Sequence, residues 1–257
     1  MKKLFKYFGY GALSLVIVGV LCAANLVLQP YDKMRIYLSL GPEAEELISD
    51  GVTYRDLNKN QRLDVYENAQ AAAVDRVEDL LSQMTLEEKV GQMMHPSITI
   101  KPDFPLMAFH FAMGRVYIDA VEIFDTHISH CNFYVAPTPL EIAEKLNRLQ
   151  KIAATTRLGI PLTISSDPLH EAASGGIAAF SVKGFSGWPS QLGFAAARDV
   201  DLVKRFGEIA SAEYRAVGLR TALHPMADLA TEPRWARNFG TFGSNSQLSA
   251  EMTNAYM

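Results

Sequence analysis

Apolar and polar positions along this chain fall into two rhythms, helical stretches with one apolar face and short apolar runs that read as buried strands. From Ala69 onward the two alternate, as a βα architecture requires. Thr85-Leu86-Glu87-Glu88 is a capping box that opens an amphipathic turn running to Met94. Thr138-Pro139-Leu140-Glu141 repeats the device with Pro at the first helical position, and predicts a helix through Leu149 to about Thr155. Arg157-Leu158-Gly159-Ile160-Pro161 stops it, and Leu162-Thr163-Ile164-Ser165 reads as a short buried strand. In the next unit Asp199 caps a helix with apolar positions Leu202, Val203, Phe206, Ile209 and Ala210, ending near Gly218. Thr221-Ala222-Leu223-His224 is the strand expected after it, and Ser246 is the expected cap of a last helix. Between about Pro96 and Ala136 the pattern weakens, with Pro102, Pro105, many aromatics and three histidines.

The N-terminal stretch follows neither rhythm. Tyr7 to Leu28 is apolar except for Ser14 and Asn25, and no charge falls between Lys6 and Asp32. A run of that length spans a bilayer, and Lys2, Lys3 and Lys6 before it orient the rest of the chain across the membrane. Two readings stand: a retained inner-membrane anchor facing the periplasm, or a cleaved signal peptide with Cys22-Ala23-Ala24 near the cut. Lipidation of Cys22 is disfavoured by Leu21 before it. Both readings export the body. This divides the chain into a leader or anchor (1–30), a linker carrying the loop described next (31–75), and a βα body (76–257).

In that linker, Asp56, Asn58, Asn60, Asp64 and Glu67 occupy loop positions 1, 3, 5, 9 and 12, with Leu63 at position 8. That is the ligand spacing of an EF-hand, in which the backbone carbonyl of Arg62 would add an oxygen and Glu67 would close the shell. A structural Ca2+ is expected there, against the plainer reading of a polar turn before a helix. Position 6 carries Gln61 where glycine is usual, so Gln61 must take a positive φ.

With 257 residues, 49% of them hydrophobic and 20% charged, the chain has the material for a sizeable core. The formal charge is −4, and with three lysines confined to the first six residues the body is more acidic still. An acidic body without a basic stripe argues against a nucleic-acid partner. Two cysteines, Cys22 and Cys131, make no disulfide framework, which leaves Cys131 as a buried free thiol. His127, His130 and Cys131 form an H-x-x-H-C run, but no further zinc ligand is identifiable, so these read as packed or surface residues.

Both predicted strands of the body end in polar, chargeable residues: Ser165-Ser166-Asp167-Pro168-Leu169-His170 after the first, His224-Pro225-Met226-Ala227-Asp228 after the second. In a parallel βα barrel such ends line the active face. Several ordered motifs then resemble the N-terminal barrel of family 3 glycoside hydrolases. These are Met84-Thr85-Leu86-Glu87-Glu88-Lys89-Val90-Gly91, Leu158-Gly159-Ile160-Pro161 with Ser166-Asp167, Trp188-Pro189-Ser190-Gln191-Leu192-Gly193, and Glu213-Tyr214-Arg215-Ala216-Val217-Gly218. The most specific is Ala227-Asp228-Leu229-Ala230-Thr231-Glu232-Pro233-Arg234-Trp235-Ala236-Arg237 followed by Thr241-Phe242-Gly243. The resemblance runs from roughly Val52 to Met257, leaving the stretch from Pro102 to Ala136 unmatched.

The resemblance implies an exo-acting, retaining enzyme of carbohydrate metabolism that removes terminal β-D-glucosyl residues from oligosaccharides or β-glucosides. Retention calls for two carboxyl groups about 5 to 5.5 Å apart, a nucleophile and an acid/base. By resemblance Asp167 hydrogen-bonds sugar hydroxyls, Arg237 reaches the same sugar, and Arg234 is a second candidate; His170, His224, Asp228 and Trp235 stand open between packing and site lining. The family's Lys-His pair, nucleophile and acid/base fall after the Thr-Phe-Gly motif. Gly243-Ser244-Asn245 stands where Gly-Glu-Asp is usual, and Leu169 stands where the family has Arg. Three or four βα units are legible where a barrel takes eight. The expectation is therefore an incomplete (β/α)8 barrel, the front part of such an enzyme and inactive alone. The alternative is a non-catalytic envelope protein that binds saccharide or calcium.

Overall fold

In a computed structural model of the chain, residues 10, 13–14, 16–20, 38, 40–99, 123, 125–135, 138–171 and 184–257 are described. They fall in two units, Met1–Gly41 and Pro42–Met257. In the first, the described residues from 10 to 20 are helical and exposed. Most of the apolar run Tyr7–Leu28, with Lys2, Lys3, Lys6 and Cys22, lies outside the described residues. Among the described residues no helix is long and apolar enough to cross a membrane.

The second unit opens with a hairpin that the sequence pattern did not announce. Strands β1 (Glu46–Ser49) and β2 (Val52–Arg55) pair antiparallel. Their two-residue turn is Asp50-Gly51, both at positive φ (50° and 79°), the backbone that a tight hairpin of right-twisted strands demands. The polar loop 56–67 follows, closed by a short 3-10 turn, Val65–Glu67. Helices α1 (Ala73–Gln83) and α2 (Leu86–Gln92) come next. Thr85 caps α2 as expected: its hydroxyl accepts from the Glu88 amide at 3.2 Å while Glu88 accepts from the Thr85 amide at 2.9 Å.

Four parallel strands then form one sheet: β3 (Ser97–Thr99), β4 (His130–Val135), β5 (Thr163–Ser166) and β6 (Thr221–Ala222). Their spatial order is β3-β4-β5-β6, the order of the sequence. Each new strand is laid beside the previous one, which is how a βα barrel grows; a doubly wound sheet reverses direction part-way. The crossover from β4 to β5 contains α3 (Pro139–Thr155), capped by Thr138 with Pro139 in the first turn. Gln150 ties α3 to the entry of β5, giving its Nε2 to the Leu162 carbonyl (2.8 Å) and taking the Leu162 amide on Oε1 (3.0 Å). The next crossover carries α4 (Gln191–Ala197) and α5 (Val200–Ala216), with Asp199 capping α5. β6 is two residues long, both exposed, shorter than the four-residue strand expected.

The last helix, α6 (Ser246–Tyr256), begins one residue earlier than its expected cap implied. Asn245 is the cap, accepting from the Leu248 amide at 2.9 Å, and Ser246 is the first helical residue. α4, α5 and α6 share a core of Phe194, Val203, Phe206, Ala210 and Met252, joined by Phe242. α5 and α6 approach closely at Gly207, where a Cβ would lie 2.3 Å from the Tyr256 carbonyl oxygen. A second buried set comprises Ile142, Leu146, Leu149 and Ile152 of α3 and Cys131, Phe133 and Ile164 of the sheet.

Candidate functional site

The chain leaves β5 through Asp167, and leaves β6 through a long loop whose 3-10 turn, Asn238–Gly240, follows Arg237. These two loops, adjacent because β5 and β6 are neighbours, meet in one recess. Asp167, Pro168, Glu171, His224, Met226 and Arg237 line it, with Gln191 from the start of α4. Asp167 and Arg237, fifth-strand and sixth-strand contributions to one concavity, are thus brought together. Arg234 is not among the lining residues; it is exposed, and its Nε and one terminal nitrogen bind the two Glu232 oxygens at 2.8 and 2.9 Å. Asp228 is exposed and Trp235 half-buried, neither lining the recess.

Asp167 is held from the neighbouring strand. Asn132 on β4 donates its side-chain amide to Asp167 Oδ2 at 3.1 Å, and Asn132 Oδ1 accepts from the Ser165 hydroxyl at 3.2 Å. The His95 ring lies 2.9 Å from that same hydroxyl. The parallel register makes this possible, since Asn132 and Ser165 are direct partners across the β4-β5 pair.

The backbone on either side of Pro168 is fixed by Tyr214 of α5. Its hydroxyl donates to the Asp167 carbonyl (2.8 Å) and accepts the Leu169 amide (3.1 Å). It also meets His224 Nε2 at 3.1 Å, and His224 Nδ1 meets the Tyr256 hydroxyl at 2.5 Å. Since the Tyr214 hydrogen is already given to Asp167, its oxygen accepts from His224, so Nε2 carries the imidazole proton and Tyr256 donates to Nδ1. Burial holds His224 at a pKa of about 4, with the nearby His170 pushing the same way, so the ring is neutral.

His170 lies outside the recess. It is buried, stacked on Phe185 at 5.2 Å, and bonded through Nε2 to Glu213 at 2.7 Å. Burial lowers its pKa while Glu213 opposes the change. Glu213 also takes the Ser186 amide and hydroxyl, and Ser186 in turn accepts the Trp188 indole N–H at 2.8 Å. This cluster pins the loop on which Trp188 bridges to Glu171.

The remaining candidates lie elsewhere. Cys131 is a free thiol, fully buried in β4, and burial pushes its pKa up to about 12. His130 contacts the Ser129 hydroxyl (3.0 Å) and His127 sits in a left-handed conformation (φ 57°), so the H-x-x-H-C run is spread over a strand and the turn before it. In the polar loop, Asp56 accepts the Asn60 and Gln61 amides (3.0 and 2.9 Å), and Glu67 accepts those of Leu57 and Asp64 (2.6 and 3.2 Å). Asn58 and Asn60 both donate to Asp64 Oδ2, at 2.6 and 2.7 Å, and Arg62 gives its amide to Asn60 Oδ1. Gln61 takes φ 61°, the conformation its position in the loop calls for. Three carboxylates and two amide oxygens in one short loop are the donor chemistry of a hard cation. As placed, they are turned to N–H groups, and among the described residues no cluster of three His, Cys, Asp or Glu is set to hold a metal.

Asn132, Tyr214, Glu171 and Gln191 were not singled out from sequence as site residues. Tyr214 and Gln191 lie inside motifs that were noticed, and Glu171 directly follows the polar strand end at His170. Asn132 falls in the weakly patterned stretch, where only the strand register reveals its partner.

Comparison with known proteins identifies the family of the chain. The sequence profile of the glycosyl hydrolase family 3 N-terminal domain matches residues 85–257. The chain is 43% identical over 215 residues to a periplasmic beta-glucosidase/beta-xylosidase of Dickeya chrysanthemi, and 43% identical over 206 residues to beta-glucosidase C of Emericella nidulans. Those alignments cover 81% and 79% of this chain, which spans about a third of either relative, 32% in each case. Among solved structures, a family 3 β-N-acetylglucosaminidase from Paenibacillus shares the fold, with a TM-score of 0.54 at 22% identity over 67% of this chain and 30% of that one. With two-thirds of its length matched by the family profile and its strands added in barrel order, the chain belongs to glycosyl hydrolase family 3 and carries that family's N-terminal domain.

Proposed function

We propose that this chain provides the sugar-gripping part of an exo-acting, retaining glycoside hydrolase that releases terminal β-D-glucosyl residues, built on a (β/α)8 barrel. The observation that carries the reading is the convergence of Asp167 and Arg237, from successive βα units, on one recess. A carboxylate accepts two hydroxyl protons with good directionality, and a guanidinium donates to the same edge of a pyranose. In this reading both grip the sugar and neither breaks the bond. The names of the relatives, a beta-glucosidase/beta-xylosidase and a beta-glucosidase, point to the same substrate class. The test is release of the chromophore from an aryl β-glucoside by the intact protein: Asp167→Asn should raise KM or abolish turnover, and unchanged kinetics would refute the assignment.

Two further parts of the reading rest on the sequence. The apolar run behind Lys2, Lys3 and Lys6 supports export, with either anchoring or cleavage at the membrane, and the Dickeya relative is named periplasmic. The donor set of the 56–67 loop and the positive φ of Gln61 support a structural Ca2+ held by Asp56, Asn58, Asn60, the Arg62 carbonyl, Asp64 and Glu67. Such an ion would replace the N–H groups as partner of those carboxylates. Millimolar Ca2+ should raise the melting temperature, and Glu67→Gln should remove the increase.

A further inference from the structure

The recess that holds Asp167 and Arg237 contains two polar groups for which the reading above has no use. Glu171 and Gln191 are each 6% exposed, and each presents one side-chain atom that is sealed from solvent and, among the described residues, has no hydrogen-bond partner: Oε2 of Glu171 and Nε2 of Gln191. Both residues line the recess. The orientation of the Gln191 amide follows from its surroundings, since the Met226 N–H points to it at 3.3 Å and only the oxygen can accept. Neither backbone is free to move its group away. Glu171 is bridged to Trp188, and Gln191 is the first residue of α4, next to the Ser190 cap.

A buried polar atom without a partner is costly, and folded proteins contain few. Two in one recess, an acceptor and a donor, are the complement of a hydroxyl group, which donates once and accepts as well. The recess, about 20 Å3 in volume, is large enough for one group of that size.

We propose that Glu171 Oε2 and Gln191 Nε2 clamp a single hydroxyl of the sugar gripped by Asp167 and Arg237, and so determine which terminal sugar the site accepts. The clamp rests on the glycoside reading and deepens it. A sugar lacking that hydroxyl would leave both atoms buried and unpaired, which is how hydroxyl-reading sites reject deoxy analogues by factors approaching ~10^4.

Calorimetry on the intact protein with D-glucose, its four monodeoxy analogues and D-xylose tests this, together with the variants Glu171→Gln and Gln191→Leu. Each variant should weaken glucose binding about tenfold or more. For one deoxy sugar, the same for both variants, that loss should disappear, because the interaction is already missing. A structural role would weaken every sugar alike. Equal losses across the panel, or none, as when an ordered water alone fills the recess, would overturn the clamp. Glu171→Gln is isosteric and carries the test alone if Gln191→Leu does not fold. Glucose binding that is lost in Asp167→Asn but kept in Glu171→Gln would sink the clamp and leave the glycoside reading standing. Failure of the wild-type protein to bind any sugar of the panel would sink both.

Discussion

Acid should destabilise this fold through one imidazole. His224 is wedged edge-on between the rings of Tyr214 and Tyr256, with centroids 5.6 and 5.5 Å away. Each ring nitrogen faces a tyrosine hydroxyl, and the neutral tautomer satisfies both. The unfolded chain takes up a proton as the pH falls below 6.5, whereas the folded chain resists until about 4. Over that window the unfolded state binds more protons, so stability is full above 6.5 and is lost progressively as the pH falls towards 4. The full shift corresponds to about 3 kcal/mol; because the ring is only partly buried, we expect roughly 1–3 kcal/mol. Urea unfolding at pH 7, 6, 5 and 4 measures it, with His224→Gln as the reference. Glutamine keeps a donor and an acceptor but does not titrate, and all other acid-sensitive groups are common to both proteins. The wild type should lose stability faster than the variant by that amount between pH 7 and 4. Parallel pH profiles would show that the tyrosine cage does not hold the imidazole neutral.

Lys59 gives its ammonium to three carbonyls, those of Leu57 (2.9 Å), Ala154 (2.9 Å) and Thr156 (2.7 Å), joining the polar loop to the C-terminal end of α3. Lys59→Met leaves them unpaired and should cost about 1–3 kcal/mol, read as a melting temperature lower by several degrees. Gly207→Ala should force α5 from α6 and cost about 1–3 kcal/mol in urea unfolding, while Gly51→Ala meets no steric obstacle and tests only its positive φ. Cys131 should be silent to a thiol reagent in the native protein and react at once in denaturant; native-state labelling would mean that β4 opens readily.

The helices were the most legible part of the sequence because their signals are local. Thr85, Thr138 and Asp199 each bind the amide three residues on, an interaction that needs no distant partner. The strands were harder: β5 is buried and apolar at Ile164, but β3 and β6 run to only three and two residues, too few to show a period. The β1-β2 hairpin passed unremarked although Asp50-Gly51 is a favoured turn pair, because Glu46–Ser49 has only a weak apolar alternation. Among the candidate site residues, Asp167 and Arg237 rest on the resemblance, and the structure adds that both line one recess. The groups around them follow from geometry alone: Asn132 meets Asp167 through strand register, and Glu171 and Gln191 meet through a recess between segments twenty residues apart.

The two residues proposed to grip the sugar are held very differently, and the difference bears on how that proposal would work. Asp167 is fixed at both ends, its carboxylate by Asn132 and its carbonyl by Tyr214 and the Ser166 hydroxyl. Its direction is therefore set by β4, β5 and α5 before any sugar arrives, so little side-chain entropy is spent on binding. Arg237 is exposed, and the hydrogen bond it makes among the described residues is to the Met226 sulfur at 3.4 Å, a weak acceptor. Arg234, three residues earlier, shows what a committed guanidinium looks like in the same loop, with its Nε and one terminal nitrogen on the Glu232 carboxylate. A guanidinium that gives up only a sulfur contact can turn onto a hydroxyl at little cost, whereas one drawn from a carboxylate must first break a charge-assisted pair. In the proposed grip, then, Asp167 sets the direction and Arg237, held only by a sulfur contact, is the partner that turns, while Arg234 stays on Glu232.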